Sequence, residues 1–277
     1  MSQAPGESHG VSLVIPAWNE ERRLSRTLDR YLTGLQNSGR TFEVIVVSDG
    51  STDRTASIAL GYADRNVRLL EYGKKLGKGR AVVEGIRSAR YEDVGFVDAD
   101  GPIPVEDILR LVDSLVGAEC AIASRSLECS IATVERRPSR RALSRLWSLM
   151  VRGLFLLPIR DYQCGAKFFR KAELDSILPA VQVSDWAFDV SLLYHLHSAG
   201  YQVREVAVTW TEGAGSKFEI SRDVPSMLVG LLGLRLMNLR PGGTIRHGRT
   251  AKAPVPTQAG SLDPNEDDRA SESKVGT

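Results

Sequence analysis

Short apolar runs and helically spaced apolar positions alternate along the first half of the chain. Val11-Ser12-Leu13-Val14-Ile15-Pro16 reads as a buried strand ended by proline. Leu24, Leu28, Tyr31, Leu32 and Leu35 then recur at helical spacing, with Asn19 expected to cap that helix and Glu20 and Glu21 to favour its positive end. Phe42–Val47 predicts a second strand, and Ser48-Asp49-Gly50-Ser51-Thr52-Asp53 a turn opening a helix over Thr55–Gly61. Val67–Leu70 predicts a third strand, Ala81–Ala89 a helix, and Val94-Gly95-Phe96-Val97 a fourth strand. A helix over Val105–Leu115 and a strand at Ala121-Ile122-Ala123 follow. Strands alternating with helices predict an α/β fold built on a doubly wound, mostly parallel sheet.

The pattern changes near the termini. Residues 1–10 read as a disordered lead, residues 11–223 as the folded domain, 224–240 as an apolar interfacial segment and 241–277 as a disordered tail poor in apolar residues. Two apolar stretches, Leu143–Leu157 and Met227–Leu239, are bordered by arginine. The first, with Leu146, Trp147, Met150, Leu154 and Phe155, suits a helix lying in a membrane interface and equally a core helix. Neither crosses a bilayer unaided. Met1–Gly10 lacks the apolar core of a signal peptide. The expected location is cytoplasmic, peripherally attached to the cytoplasmic face of a membrane.

Composition narrows the partners. A net charge of +2 gives no general attraction to nucleic acid, so no nucleic-acid partner is expected. Cys120, Cys129 and Cys164 have no metal-ligand spacing and cannot all pair, which suits a reducing compartment. His195 and His197 stand two apart in a helical stretch and so face different ways.

The candidate chemistry lies at strand ends. Asp98 and Asp100, two residues apart after an apolar strand, point the same way from its carboxyl end, the edge where open α/β sheets bind ligands. A hard divalent ion sharing its shell with phosphates would hold two such charges together; taken alone, the pair also fits a solvated polar turn. Asn19 and Asp49 stand at two other strand tips, and the convergence says more than any single motif. Lys74-Lys75-Leu76-Gly77-Lys78-Gly79-Arg80 is a basic glycine loop but not a P-loop, suited to a phosphate or simply to water. Arg125 follows a strand, and Arg136, Arg137, Arg140, Arg141 and Arg145 come next. That run suits paired contacts to phosphate oxygens, or else a solvated face or contact with an anionic membrane.

The blocks Val-Ile-Pro-Ala-x-Asn-Glu-Glu, Val-Ser-Asp-Gly-Ser-Thr-Asp, Gly-Lys-Gly and Asp-Ala-Asp-Gly resemble, in order and spacing, family 2 glycosyltransferases of GT-A fold. Asp161–Arg170, Asp185–Val190 and Val206–Glu212 are similar to the dolichyl-phosphate β-glucosyltransferase branch, a neighbour of the polyprenyl-phosphate mannose synthases. The resemblance implies nucleotide-sugar contacts at Pro16, Asn19, Glu20, Asp49, Lys78 and Asp98, and Mg²⁺ or Mn²⁺ at Asp98 and Asp100. It implies catalytic roles for Asp100, Arg125 and Asp189, and acceptor-phosphate contacts at Arg125, Arg137, Arg141, Gln163 and Lys167. The implied reaction is inverting transfer of a sugar, best matched by UDP-glucose, to a polyprenyl monophosphate at a membrane surface. GDP-mannose as donor, a glycan hydroxyl as acceptor, and a nucleotide-sugar-binding module without catalysis are the alternatives. A nucleotidyltransferase would need a basic glycine loop after the first strand, and Pro16–Glu20 offers none. The chain departs from the pattern at Lys75, where asparagine is usual, and at Ser191, where glutamate is common.

Overall fold

The computed structural model describes residues 10–132, 138–183, 187–211 and 228–236. Its strands are β1 (Val11–Ala17), β2 (Phe42–Asp49), β3 (Val67–Tyr72), β4 (Asp93–Val97), β5 (Cys120–Ser124), β6 (Ile131–Ala132), β7 (Ala166–Arg170), β8 (Val203–Ala207) and β9 (Thr209–Trp210). Its helices are α1 (Leu24–Asn37), α2 (Thr55–Leu60), α3 (Lys78–Ser88), α4 (Val105–Asp113), α5 (Pro138–Phe155), α6 (Lys171–Ile177), α7 (Phe188–Ser198) and α8 (228–236).

Seven strands form one sheet in the order β3-β2-β1-β4-β7-β5-β8, and β6 pairs with β9 beside it. Within the sheet β7 alone runs antiparallel, wedged between β4 and β5 with Val97 opposite Ala166 and Asp93 opposite Arg170. The strands of β1, β2, β4 and β5 are covered on both faces, which is why they read as nearly continuous apolar runs. Alternation still sorts their side chains. Val14, Ile45, Val47 and Phe96 pack under α3, α5, α7 and α8, whereas Leu13, Ile15, Val44 and Val46 pack under α1 and α4. The sheet is thereby the middle layer of three.

Two expectations need correction, and one strand was not expected. Asn19 does not cap α1: that helix begins at Leu24, and Asn19 lies in a loop at φ 55. Its side-chain oxygen is drawn instead to Thr52, and an asparagine tolerates the left-handed conformation this demands. The helix after the glycine loop starts at Lys78 rather than Ala81, because Gly77 at φ 92 makes the turn. Residues 166–170, quoted above only as a motif, form the antiparallel strand.

The apolar stripe of α5 divides between its two readings. Trp147, Val151 and Phe155 are buried in the core, while Leu146 and Leu149, and Leu156 just past the helix end, are 64%, 66% and 79% exposed. Helix α8 does the same, burying Leu231 and Leu234 and exposing Val229, Leu232 and Leu236. Part of the 224–240 segment therefore belongs to the domain's core. Residues 212–227, which include the expected boundary at 223/224, lie outside the described residues, as do residues 1–9 and 237–277.

Candidate active site

The carboxyl ends of β1, β2, β4 and β5 bring the predicted residues to one edge. Asp98 follows β4 directly, and the loop it opens is moored by α1. Thr27 Oγ1 donates to the Ala99 carbonyl at 2.8 Å, Tyr31 Oη to the Ile103 carbonyl at 3.1 Å, and Arg30 to the Gly101 carbonyl. Gly101 takes φ 57, a conformation open to glycine at no cost.

Within this frame Asp98 Oδ1 meets Lys78 Nζ at 2.6 Å. The other side of the Asp98 carboxylate lies against Gly165, where an added Cβ would stand 1.9 Å from Oδ2. Asp100 faces Arg23 at 3.8 Å, and Arg23 is itself gripped by both oxygens of Glu20 at 2.7 Å. Burial raises the Asp100 carboxyl above its ordinary range, and the charges of Asp98 and Glu20 push the same way against Arg23 and Lys78. Burial works against the Lys78 ammonium, but Asp98, Asp189 and Asp100 together outweigh it and hold its affinity for the proton above the ordinary value.

These two carboxylates fit a hard divalent cation. Both supply oxygen, and neither side chain is closed in, Asp98 being 36% and Asp100 28% exposed. No group of three or more His, Cys, Asp and Glu able to hold a metal occurs among the described residues, so an ion held by this pair would complete its shell with phosphate oxygens or water.

The loops after β1 and β2 are stitched together. Asn19 N donates to Ser51 Oγ at 3.1 Å, Thr52 N to Asn19 Oδ1 at 2.9 Å, Glu20 N to Thr55 Oγ1 at 2.8 Å, and Glu21 N to Asp53 Oδ2 at 3.1 Å. Pro16 pairs with Val47 just below them. Asp49 is buried at the tip of β2 and accepts from the backbone amides of Leu76 and Gly77, the latter at 3.1 Å, which fixes the glycine loop over the sheet edge. Across the mouth, Lys75 Nζ sits 3.4 Å from the centre of the Trp18 ring.

On the other flank, Arg125 follows β5 and closes a fork on Asp161, Nε to Oδ2 at 2.7 Å and Nη2 to Oδ1 at 2.8 Å. Its guanidinium lies 5.6 Å from the Trp210 ring centre. Burial pushes the Asp161 carboxyl up, but the charge and hydrogen bonds of Arg125 together outweigh it and hold it below the usual carboxylate range. Gln163 enters this cluster through its backbone amide, which donates to Asp161 Oδ1 at 3.3 Å.

Lys167 is not placed as expected for an acceptor contact. It is fully buried in β7, and its ammonium donates to Asp189 Oδ1 at 2.6 Å and to the Cys164 carbonyl at 2.8 Å. A buried ammonium without a carboxylate would be costly, so the pair ties the first turn of α7 to β7. Ser191 is also buried, and its hydroxyl accepts from the Gln182 amide at 2.9 Å. Arg137 lies outside the described residues, and Arg141 lies in α5 with its side chain outside them. Sequence reasoning overlooked three participants: Asp161, Gly165 and Arg23. The first two stood inside or beside a quoted block, but no local signal ties them to Arg125 and Asp98.

A twisted, mostly parallel sheet with paired carboxylates and a glycine loop at its carboxyl edge is the layout of a GT-A glycosyltransferase. The same fold occurs in glucosyl-3-phosphoglycerate synthase from Mycobacterium tuberculosis, solved with Mn²⁺, UDP and glucosyl-3-phosphoglycerate (TM-score 0.62, 18% identity, 82% of this chain and 80% of that one). It occurs also in a mannosyltransferase from Pyrobaculum calidifontis, solved with GDP-Man and Mn²⁺ (TM-score 0.56, 19% identity, 84% and 66%). Residues 12–178 match the family described as glycosyl transferase family 2, and the chain belongs to that family. Among its relatives, the dolichyl-phosphate beta-glucosyltransferase of Drosophila melanogaster is 39% identical over 223 residues, covering 75% of this chain and 68% of that protein. The human protein of the same name is 35% identical over 228 residues, covering 75% and 69%.

Proposed function

We propose that this chain transfers glucose from UDP-glucose to a dolichyl-type polyprenyl monophosphate, inverting the anomeric centre, at a membrane surface. The observation that carries this reading is the likeness to dolichyl-phosphate beta-glucosyltransferases over three quarters of the chain, 75% for the fly protein.

In this reading Asp98 and Asp100 hold Mg²⁺ or Mn²⁺ against the donor diphosphate, where the ion would neutralise charge on the departing group. Arg23, anchored by Glu20, steadies Asp100, and Asp49 keeps the glycine loop closed over the nucleotide. Pro16, Asn19 and Glu20 form the floor beside it. The acceptor is a phosphate monoester, whose second pKa is about 6, so at neutral pH it is already a nucleophile. One of its oxygens forms the new bond to the anomeric carbon as the bond to the diphosphate breaks, and the electron pair leaves with UDP. No proton has to be removed, and Asp189, locked by Lys167, serves to position rather than to act as a base. Arg125 spends Nε and Nη2 on Asp161 and keeps Nη1 for the acceptor phosphate, with Gln163, Arg137 and Arg141 as the further contacts proposed.

The exposed leucines of α5 and α8 support a resting place on the cytoplasmic leaflet. No helix among the described residues is long and apolar enough to cross a membrane. Two apolar helix faces bordered by Arg152 and Arg235 suit a lipid interface.

The test is a donor screen (UDP-glucose, UDP-galactose, GDP-mannose) against polyprenyl phosphate and free polyprenol, reading glycolipid formation. Product from UDP-glucose and the phosphate alone is expected. Product only from GDP-mannose would move the donor to mannose, and product from polyprenol would overturn the phosphate acceptor. Co-sedimentation with anionic liposomes tests the membrane contact, and absence of binding at low salt would remove it.

A further inference from the structure

We infer that Lys78 is a resident counter-ion that makes metal binding at Asp98 and Asp100 conditional on the donor diphosphate; this rests on the metal role proposed for those two carboxylates. Lys78 opens α3 immediately after Gly77. The start of that helix is pinned: a Cβ at Gly79 would stand 2.8 Å from the Phe188 side chain and 2.9 Å from the Val183 carbonyl. The backbone of Lys78 is thereby fixed, while its side chain, 36% exposed, hangs on a stem of four rotatable bonds.

The ammonium now sits 2.6 Å from Asp98 Oδ1. Behind the other Asp98 oxygen lies Gly165, at a distance that leaves no space for even a methyl group. Asp100 is matched more loosely by Arg23, at 3.8 Å. Each of the two carboxylates thus faces a cation, and with Glu20 on Arg23 the cluster keeps one net negative charge. A free divalent ion approaching it is drawn by that single charge and meets like charge on the oxygen it needs. Glu20 holds the Arg23 fork, so Lys78 is the cation with freedom to move.

The donor diphosphate changes each of these terms. It brings negative charge and oxygen ligands for the ion, and it offers Lys78 a second partner. A lysine ammonium is a compact charge on a flexible stem, well suited to transfer from carboxylate to phosphate. When it transfers, Asp98 Oδ1 is released to the ion. Donor and metal then tighten each other's binding by the same factor, and Lys78 supplies part of that coupling.

The experiment titrates Mn²⁺ into the full chain, following the free-ion paramagnetic resonance signal with and without UDP. Wild type, Lys78→Met, Lys78→Gln and Asp98→Asn are compared. Without UDP, both Lys78 variants are expected to bind Mn²⁺ about fivefold tighter than wild type, at the low end of usual coupling factors. UDP is expected to tighten Mn²⁺ binding by a smaller factor in those variants than in wild type. Unchanged or weaker Mn²⁺ binding without UDP in both Lys78 variants, with Asp98→Asn still losing the ion, overturns the inference alone. Wild-type Mn²⁺ binding in Asp98→Asn with UDP overturns the metal assignment and the inference with it.

Discussion

Where the parallel strands begin, Glu43 is 4% exposed and both its oxygens are taken. Ser12 Oγ and the Arg90 amide donate to Oε1 at 2.8 and 2.7 Å, and Arg68 Nη1 to Oε2 at 2.7 Å. Where the same strands finish, Asp98 and Asp100 have side chains 36% and 28% exposed. Among the described residues neither side chain receives a backbone hydrogen bond; each faces a cation, at 2.6 Å and 3.8 Å. Residue type alone does not separate these ends, and burial is only part of the difference. The separation lies in unspent lone pairs: a carboxylate closed from every side is a fastening, and one with oxygen to spare can bind a ligand.

Substitutions at the two ends should fail differently. Asp100→Ala should lower glycolipid formation by about 10³-fold, as loss of metal-held charge stabilisation does. Its folded carboxyl is raised, so the wild-type charge costs stability above the ordinary carboxylate range and not below it. The variant should therefore melt no lower than wild type at neutral pH, and a lower melting point there would break the contrast. Glu43→Ala should do the reverse. It takes the carboxylate from Arg68, which keeps only Ser88, and the acceptor from the Ser12 hydroxyl and the Arg90 amide, and urea titration should show a loss of about 3 kcal/mol with turnover per folded molecule unchanged.

Gly165→Ala should fall between these two. The added carbon would force the Asp98 carboxylate aside, and a displacement of roughly an ångström is expected to cost about 10²-fold in turnover. Stability should hardly change, because Asp98 has room to swing outward. The effect confined to acid concerns Asp161, a closed carboxylate at the open end. Its carboxyl lies below the usual range, so its contribution is present above an unfolded pKa near 4 and is lost as pH falls through the lower folded value. Asp161→Asn should flatten the decline in stability below about pH 4 in acid unfolding curves.

The strand ends were legible because each was a buried apolar run cut off by a polar residue. That rule located Asp49 and the Asp98/Asp100 pair and predicted the α/β sheet. It missed the reversal of β7, since Ala166-Lys167-Phe168-Phe169-Arg170 looks alike in either direction, and direction is set by neighbours far along the chain. Lys167 misled for a related reason. A lysine in a motif reads as exposed, and only the Asp189 carboxylate, delivered by another element, makes its burial tolerable. Asn19 illustrates competition: it has the chemistry of a cap, but Thr52 on the neighbouring loop claims its oxygen. The closeness of Gly165 to Asp98 is a matter of packing between two strand tips and leaves no trace in local pattern.

The reversed strand also sets an order of assembly. On a growing chain, β1 through β4 are complete once Val97 has been made, and they can already join as β3-β2-β1-β4. The outer edge of β4 then offers its backbone amides and carbonyls to any passing strand, with Asp98 and Asp100 at its tip. That edge is closed only when Ala166–Arg170 emerges and runs back along it, and β5, although synthesised earlier, joins the sheet through that same strand. The nascent chain therefore carries an open edge through the synthesis of all residues between Val97 and Ala166. This interval is when it is most exposed to mispairing, and β7 is the strand that ends it.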